Sequence, residues 1–141
     1  MTDGMDDWYE REKLHRAARD GDLARVIELM KAGSDPNIFD EIGKTPLHYA
    51  VEKEHLEMVK YLVTHGANVN AHDEASIGNT PIADVAATCS LQMAQLLVNA
   101  GADPTITGWM GLNALDRARE RKRVEGQRVY ELFVQVSGRH T

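Results

Sequence analysis

The chain repeats itself. LHRAA begins at residue 14, LHYAV at 47, IADVA at 82 and LDRAR at 115, so the steps are 33, 35 and 33 residues. The segments AGSDPN, HGANVN and AGADPT keep the same register and put Gly33, Gly66 and Gly101 in equivalent places. A period of this length marks a chain built from one supersecondary unit used several times. Such a unit buries its apolar face only against its neighbours, so the period confines the chain to a stack.

The second unit shows what is stacked. Within GKTPLHYA, residues 43–50, Thr45 is placed to cap a helix with its hydroxyl and Pro46 suits the first helical position. Leu47, Ala50 and Val51 then share one helical face. A second periodic segment, Leu56, Val59, Leu62 and Val63, starts nine residues after Leu47, so the first helix is short. Gly66 follows where a left-handed helix end favours glycine, and positive φ is expected there and at Gly101. Each unit is a helical hairpin followed by a turn-rich connection, and neither helix persists alone in water. The same stripe returns as Val26, Leu29 and Met30, and as Ala94, Leu97 and Val98; a stripe repeated in register is core. In the fourth unit, LNALDRA, Asn113 takes the capping place of threonine.

The residues Asp40 to His72 carry the pattern DxxGxTPLHxA followed by HLEMVKYLVTHGANVNA. In these motifs the chain resembles the ankyrin-repeat family, over about residues 7 to 136. The resemblance implies an all-α ankyrin-repeat solenoid of four helix-turn-helix units joined by β-hairpin or finger connections. It divides a single domain, 1–141, into repeats 7–39, 40–72, 73–107 and 108–136, with flexible termini at 1–6 and 137–141. The end units depart from the pattern, as units with one face toward solvent should. Thr45 and His48 are implied to hydrogen-bond locally and tie the helix start to the loops, a duty the third unit drops by placing Ala83 where the histidine would be. Members of the family bind other proteins with their finger connections and with the concave face of the first helices.

Little in the sequence supports catalysis. There is no G-x-S-x-G, no glycine loop for phosphate and no H-E-x-x-H. His48 and His55, like His65 and His72, stand seven apart, but each pair straddles a helix boundary and no second ligand pair accompanies it. The single cysteine, Cys89, has no orienting group for a Cys–His dyad; it also excludes an internal disulfide and fits a reducing compartment. The expectation is no enzyme, no cofactor and no metal. The acidic start MTDGMDDWYE lacks the basic-then-apolar pattern of a signal peptide, and no apolar run nears the roughly 20 residues that span a bilayer. A soluble, cytoplasmic monomer with no membrane partner is expected.

Function must therefore be sought on the surface. Finger tips are ordinarily polar turns, yet Ile42, Ile77 and Met110 precede the turn glycines Gly43, Gly78 and Gly111, and Tyr9 holds that register in the first unit. Trp8 and Trp109, the only tryptophans, stand one residue earlier. An apolar row of this kind marks an interface, and tryptophan is enriched among binding hot spots; an indole folded back as an end cap is the alternative at Trp8 and Trp109. Around the row stand Phe39, Glu41, Lys44, His72, Glu74 and Asn79 from the connections, with Glu52, Lys53 and Thr88 from the ends of the first helices. Two extra residues in AHDEASIGN should make the third finger protrude or curl.

Charge bears on the partner. Residues 1–75 hold 16 acidic and 9 basic residues, and residues 76–141 hold 6 and 7, so the net −6 divides as −7 and +1. An acidic half steers a basic protein partner. The leading reading is a non-enzymatic protein-binding module, an adaptor or inhibitor; a sharper form is an immunity-type or toxin-neutralising inhibitor that occludes a basic active site. The overall size and the lengthened connection also resemble four-repeat inhibitors of cell-cycle kinases. A different class is a nucleic-acid-associated factor using RARERKRVEGQR, residues 117–128, with six basic and two acidic residues. Interspersed Glu120 and Glu125 and the absence of aromatics favour a solvated helix face there instead.

Overall fold

The computed structural model describes residues 9–76 and 78–138, and Trp8 and Ile77 lie outside them. Among the described residues the helices occur in pairs: α1 (Lys13–Asp20) with α2 (Leu23–Lys31), α3 (Pro46–Glu52) with α4 (Leu56–Thr64), α5 (Pro81–Val85) with α6 (Leu91–Asn99), and α7 (Ala114–Arg119) with α8 (Val124–Ser137). The first helices form one layer, with α1 on α3, α3 on α5 and α5 on α7. This is the expected all-α stack.

Four of the described helices begin on side-chain caps. Asp22 accepts the Arg25 amide at 3.1 Å, Thr80 the Ala83 amide at 3.3 Å and Ser90 the Met93 amide at 3.0 Å. Asn113 and Asp116 exchange bonds of 2.9 and 3.0 Å, so asparagine does replace threonine in the last pair. The second helices of the first three pairs run out onto left-handed glycines: φ is +104° at Gly33, +101° at Gly66 and +99° at Gly101, a region that costs other residues free energy. The repeated stripe is core, with Leu47, Val59, Leu62, Ile82, Leu97 and Phe133 fully buried. Each such side chain contributes about 1.5–3 kcal/mol of hydrophobic stabilisation.

Two hydrogen-bond series sew the pairs together. The His48 Nδ1 accepts the Thr45 amide at 3.0 Å, which leaves the proton on Nε2 to donate to the Asn79 carbonyl at 2.7 Å. Burial depresses the His48 pKa below its ordinary 6.5, so the ring stays neutral in this role. His15 likewise donates to the Ile38 carbonyl at 2.7 Å. On the opposite edge Asn37 bridges to Gly66 and Asn68, and Asn70 to Gly101 and Asp103. GKTPLHYA is scaffold.

One detail departs from expectation. The connections close hairpin-like turns, with the Asp40 amide 2.8 Å from the Lys44 carbonyl and the Gly108 amide 2.9 Å from that of Leu112, but no strand occurs among the described residues. Arms of one or two residues are too short to propagate a β-ladder.

Candidate functional site

The finger connections are anchored from below by one position of the first helices. It is the variable place in TPLHxA, occupied in turn by Arg16, Tyr49, Asp84 and Arg117. Arg16 donates to the Tyr9 carbonyl at 2.8 Å, and the Tyr49 hydroxyl donates to Asp40. Asp84 accepts from the Asn79 amide group at 3.3 Å, and Arg117 donates to the Trp109 carbonyl at 3.0 Å. Each side chain thus grips the segment that precedes its own helix, a finger connection in the last three units. Burial, and then the bond to Asp40, push the Tyr49 hydroxyl above the usual phenol range, so it stays protonated as a donor.

The fingers also touch one another. A Cβ on Gly43 would stand 2.5 Å from Ser76 Oγ, and one on Gly108 would stand 2.3 Å from Asn79 Oδ1. That close packing is possible because the longer third connection curls into a 3₁₀ turn, Glu74–Ser76, closed by the Gly78 amide on the Asp73 carbonyl at 2.9 Å. Asn79 then carries the series past Ala83: its Oδ1 accepts the Trp109 amide at 3.0 Å. Three fingers form one continuous layer.

On this layer the apolar residues stay outside. Ile42 is 65% exposed, Trp109 57% and Met110 69%, so the indole of Trp109 does not fold back as a cap. Met110 takes a left-handed φ of +62° next to Gly111 at +68°, a tight tip that leaves the methionine nothing to pack beneath. Ile42, Lys44, Asn79 and Trp109 line one recess of about 210 Å³. His72 and Glu74 line its neighbour, of about 330 Å³, on the other side of Gly78.

The remaining predicted residues scatter. Glu41, Lys53 and Thr88 are exposed, and Phe39 is at 36%. Lys44 is less available than its place in a loop suggests, because its ammonium binds Glu52 and pairs with Asp84 at 3.6 Å. Burial opposes that charge, but the Glu52 bond and the Asp84 charge outweigh it and raise the lysine pKa. Tyr9 requires a correction of register. It is no finger tip: with Glu10 in place of a turn glycine the chain is already helical there. The Arg16 guanidinium lies 3.9 Å from its ring centroid, and the pair borders a separate recess with Asp20, Asp22 and Arg25. Sequence reasoning missed Asp84, whose one signal is its position in the variable place of TPLHxA.

Other candidate chemistry is occupied. His55 meets the Arg19 carbonyl, His65 stacks on Tyr61 and His72 reaches the Asn70 carbonyl. Among the described residues no group of three or more His, Cys, Asp or Glu is placed to hold a metal ion. The Cys89 thiol is buried and pushed up to about 11 by that burial, far from a reactive thiolate. Of the basic run, Arg117 is spent on Trp109 and Arg121 on the Cys89 carbonyl at 2.8 Å. Among the described residues no helix is long and apolar enough to cross a membrane.

A family model described as ankyrin repeats in three copies matches residues 14–108. The chain belongs to the ankyrin-repeat family. This ankyrin-repeat chain is 37% identical over 106 residues to BCL-6 corepressor-like protein 1 of Homo sapiens, covering 74% of the chain and 6% of that protein. It is 33% identical over 113 residues to the B-cell lymphoma 3 protein homolog of Mus musculus, 79% of the chain and 25% of that protein. Ankyrin repeat-containing protein P1E11.10 of Schizosaccharomyces pombe is 37% identical over 100 residues, 70% of the chain and 45% of that protein. The chain therefore spans less than half the length of each of these relatives. Ankyrin repeats are generally protein-binding modules.

Proposed function

We propose that the chain is a non-enzymatic adaptor or inhibitor that grips a partner protein with its second to fourth fingers and the adjoining concave helix face. The four-unit division at 7–39, 40–72, 73–107 and 108–136 belongs to the same reading, with each unit supplying one helical pair. The observation that carries it is the contiguity of the finger layer. Ile42, Trp109 and Met110 project from turns that are locked to one another and to the helices below. A pre-ordered apolar surface loses little entropy on binding, so its desolvation appears as affinity. Glu41 and Glu74, both exposed, lie on the same connections and favour a basic partner. An immunity-type inhibitor that covers a basic active site is the sharpest form of this reading.

Affinity capture from source lysate, with a Trp109→Ala, Met110→Ala double variant as comparison, tests it. A protein retained by the native chain and lost by the variant is the expected result. Capture that is indifferent to the double variant would overturn the assignment of the fingers. The nucleic-acid alternative predicts salt-sensitive binding to generic DNA or RNA, which the commitment of Arg117 and Arg121 to backbone carbonyls argues against.

A further inference from the structure

The recess between Ile42 and Trp109 has unbalanced walls. Asp84 is on its floor, its side chain only 17% exposed. One carboxylate oxygen, Oδ1, accepts from Asn79, whereas the other, Oδ2, has no hydrogen-bond partner. Lys44 Nζ is 3.6 Å from Oδ2, an ion pair that is too long for a hydrogen bond, because the ammonium is held by Glu52. Lys44 is thus shared between two carboxylates. His48 adds no charge, since burial keeps its ring neutral. The cation of the next helix, Arg117, is already bonded to the Trp109 carbonyl. At that distance the ammonium meets Oδ2 only loosely, and a sheltered carboxylate oxygen gains from a closer donor.

The rim has the complementary chemistry. Trp109 lines the recess with more than half of its surface open, and indole is the best aromatic partner for a cation. Ile42, 65% exposed, offers apolar surface to an aliphatic stem. Oδ2 itself is enclosed, so a donor from outside would have to displace the Lys44 ammonium, which already binds Glu52. We propose that this recess is a socket for an arginine side chain of the partner protein, whose guanidinium donates to Asp84 Oδ2 and lies against the Trp109 indole while its stem crosses Ile42. Arginine fits better than lysine because a planar guanidinium both stacks on an aromatic ring and donates in the plane of a carboxylate. The socket rests on the finger-surface reading and states what that surface recognises.

Two tripeptide amides serve as probes of the whole chain: acetyl-Leu-Arg-Leu and acetyl-Leu-citrulline-Leu. Citrulline keeps the shape of arginine and loses its charge. In ¹⁵N-detected titrations at matched ionic strength the arginine peptide is expected to give saturable shifts at the Gly78 and Asn79 amides and the Trp109 indole N–H. The citrulline peptide should bind at least about tenfold more weakly. Asp84→Asn retains an acceptor for Asn79, so it should keep its melting temperature while losing the arginine preference. Equal binding of the two peptides, shifts that never saturate, or a preference surviving Asp84→Asn would each overturn the socket. A lysine peptide binding as tightly as the arginine one would overturn the choice of arginine. The parent reading fails separately: a captured partner lost by the Trp109→Ala, Met110→Ala variant but fully retained by Asp84→Asn leaves the finger surface in place and removes the socket.

Discussion

At the scale of single residues the fold leans on a few positions where exchange is costly. Gly66 and Gly101 have open space where a side chain would project, so their requirement comes from φ alone. Gly66→Ala is expected to cost roughly 1 kcal/mol or more, read as a lower midpoint in urea denaturation; an unchanged midpoint would refute the conformational argument. His48 makes a different demand. Its ring must stay neutral to accept from Thr45 and donate to Asn79, and burial lowers its pKa below the 6.5 of the unfolded chain. The unfolded state therefore binds the proton first as pH falls. The stability that His48 confers is complete above about pH 6.5 and declines below it. Denaturation at pH 7.5 and 5.5 should show a steeper loss for the native chain than for His48→Ala, which resembles the third unit at Ala83. Equal slopes would mean that folding does not lower the His48 pKa.

At the scale of elements, short helices are held by what crosses between pairs. Asn70 spans two turns, donating to the Gly101 carbonyl at 3.1 Å and accepting the Asp103 amide at 2.8 Å. Asn70→Ala leaves both backbone groups to solvent and should cost about 1–2 kcal/mol, with hydrogen exchange quickening at Asp103 before the rest of the chain; uniform exchange would deny the bridge its local role. Several helix starts, turn glycines and the core stripe are legible in the sequence because each follows from local rules: Pro46 at a first helical position, a glycine after Thr64 and His65, a period of 3.6 within a period of 33. The finger layer is legible only in part. Exposed Ile42, Trp109 and Met110 follow from apolar residues at turns, but Tyr9 fails because a turn register cannot be carried into a unit that lacks the turn glycine. Asp84 has a single faint signal, its place at the variable position of TPLHxA. It matters through Lys44, 40 residues earlier, and Asn79 and Trp109, which only the stacking of α3, α5 and α7 brings beside it.

At the scale of the whole molecule, the charge division and the finger layer are proposed to act at different stages of one encounter. In the proposed reading the acidic first half steers a basic partner at long range, and the apolar tips hold it once water has left. Reversing the charge of exposed Glu41 and Glu74 together should slow association at low ionic strength and change little at high salt; a rate indifferent to both would remove the steering. Retention is the more direct matter, and Trp109 isolates it, because its side chain is 57% exposed and only its backbone is tied, to Asn79 and Arg117. The decisive measurement is the affinity of Trp109→Ala for the captured partner by calorimetry, beside its melting temperature. A loss of about 2 kcal/mol or more in binding, with the melting temperature nearly unchanged, is the expected result; undiminished affinity, or affinity and melting temperature falling together, would contradict a binding surface centred on the fingers.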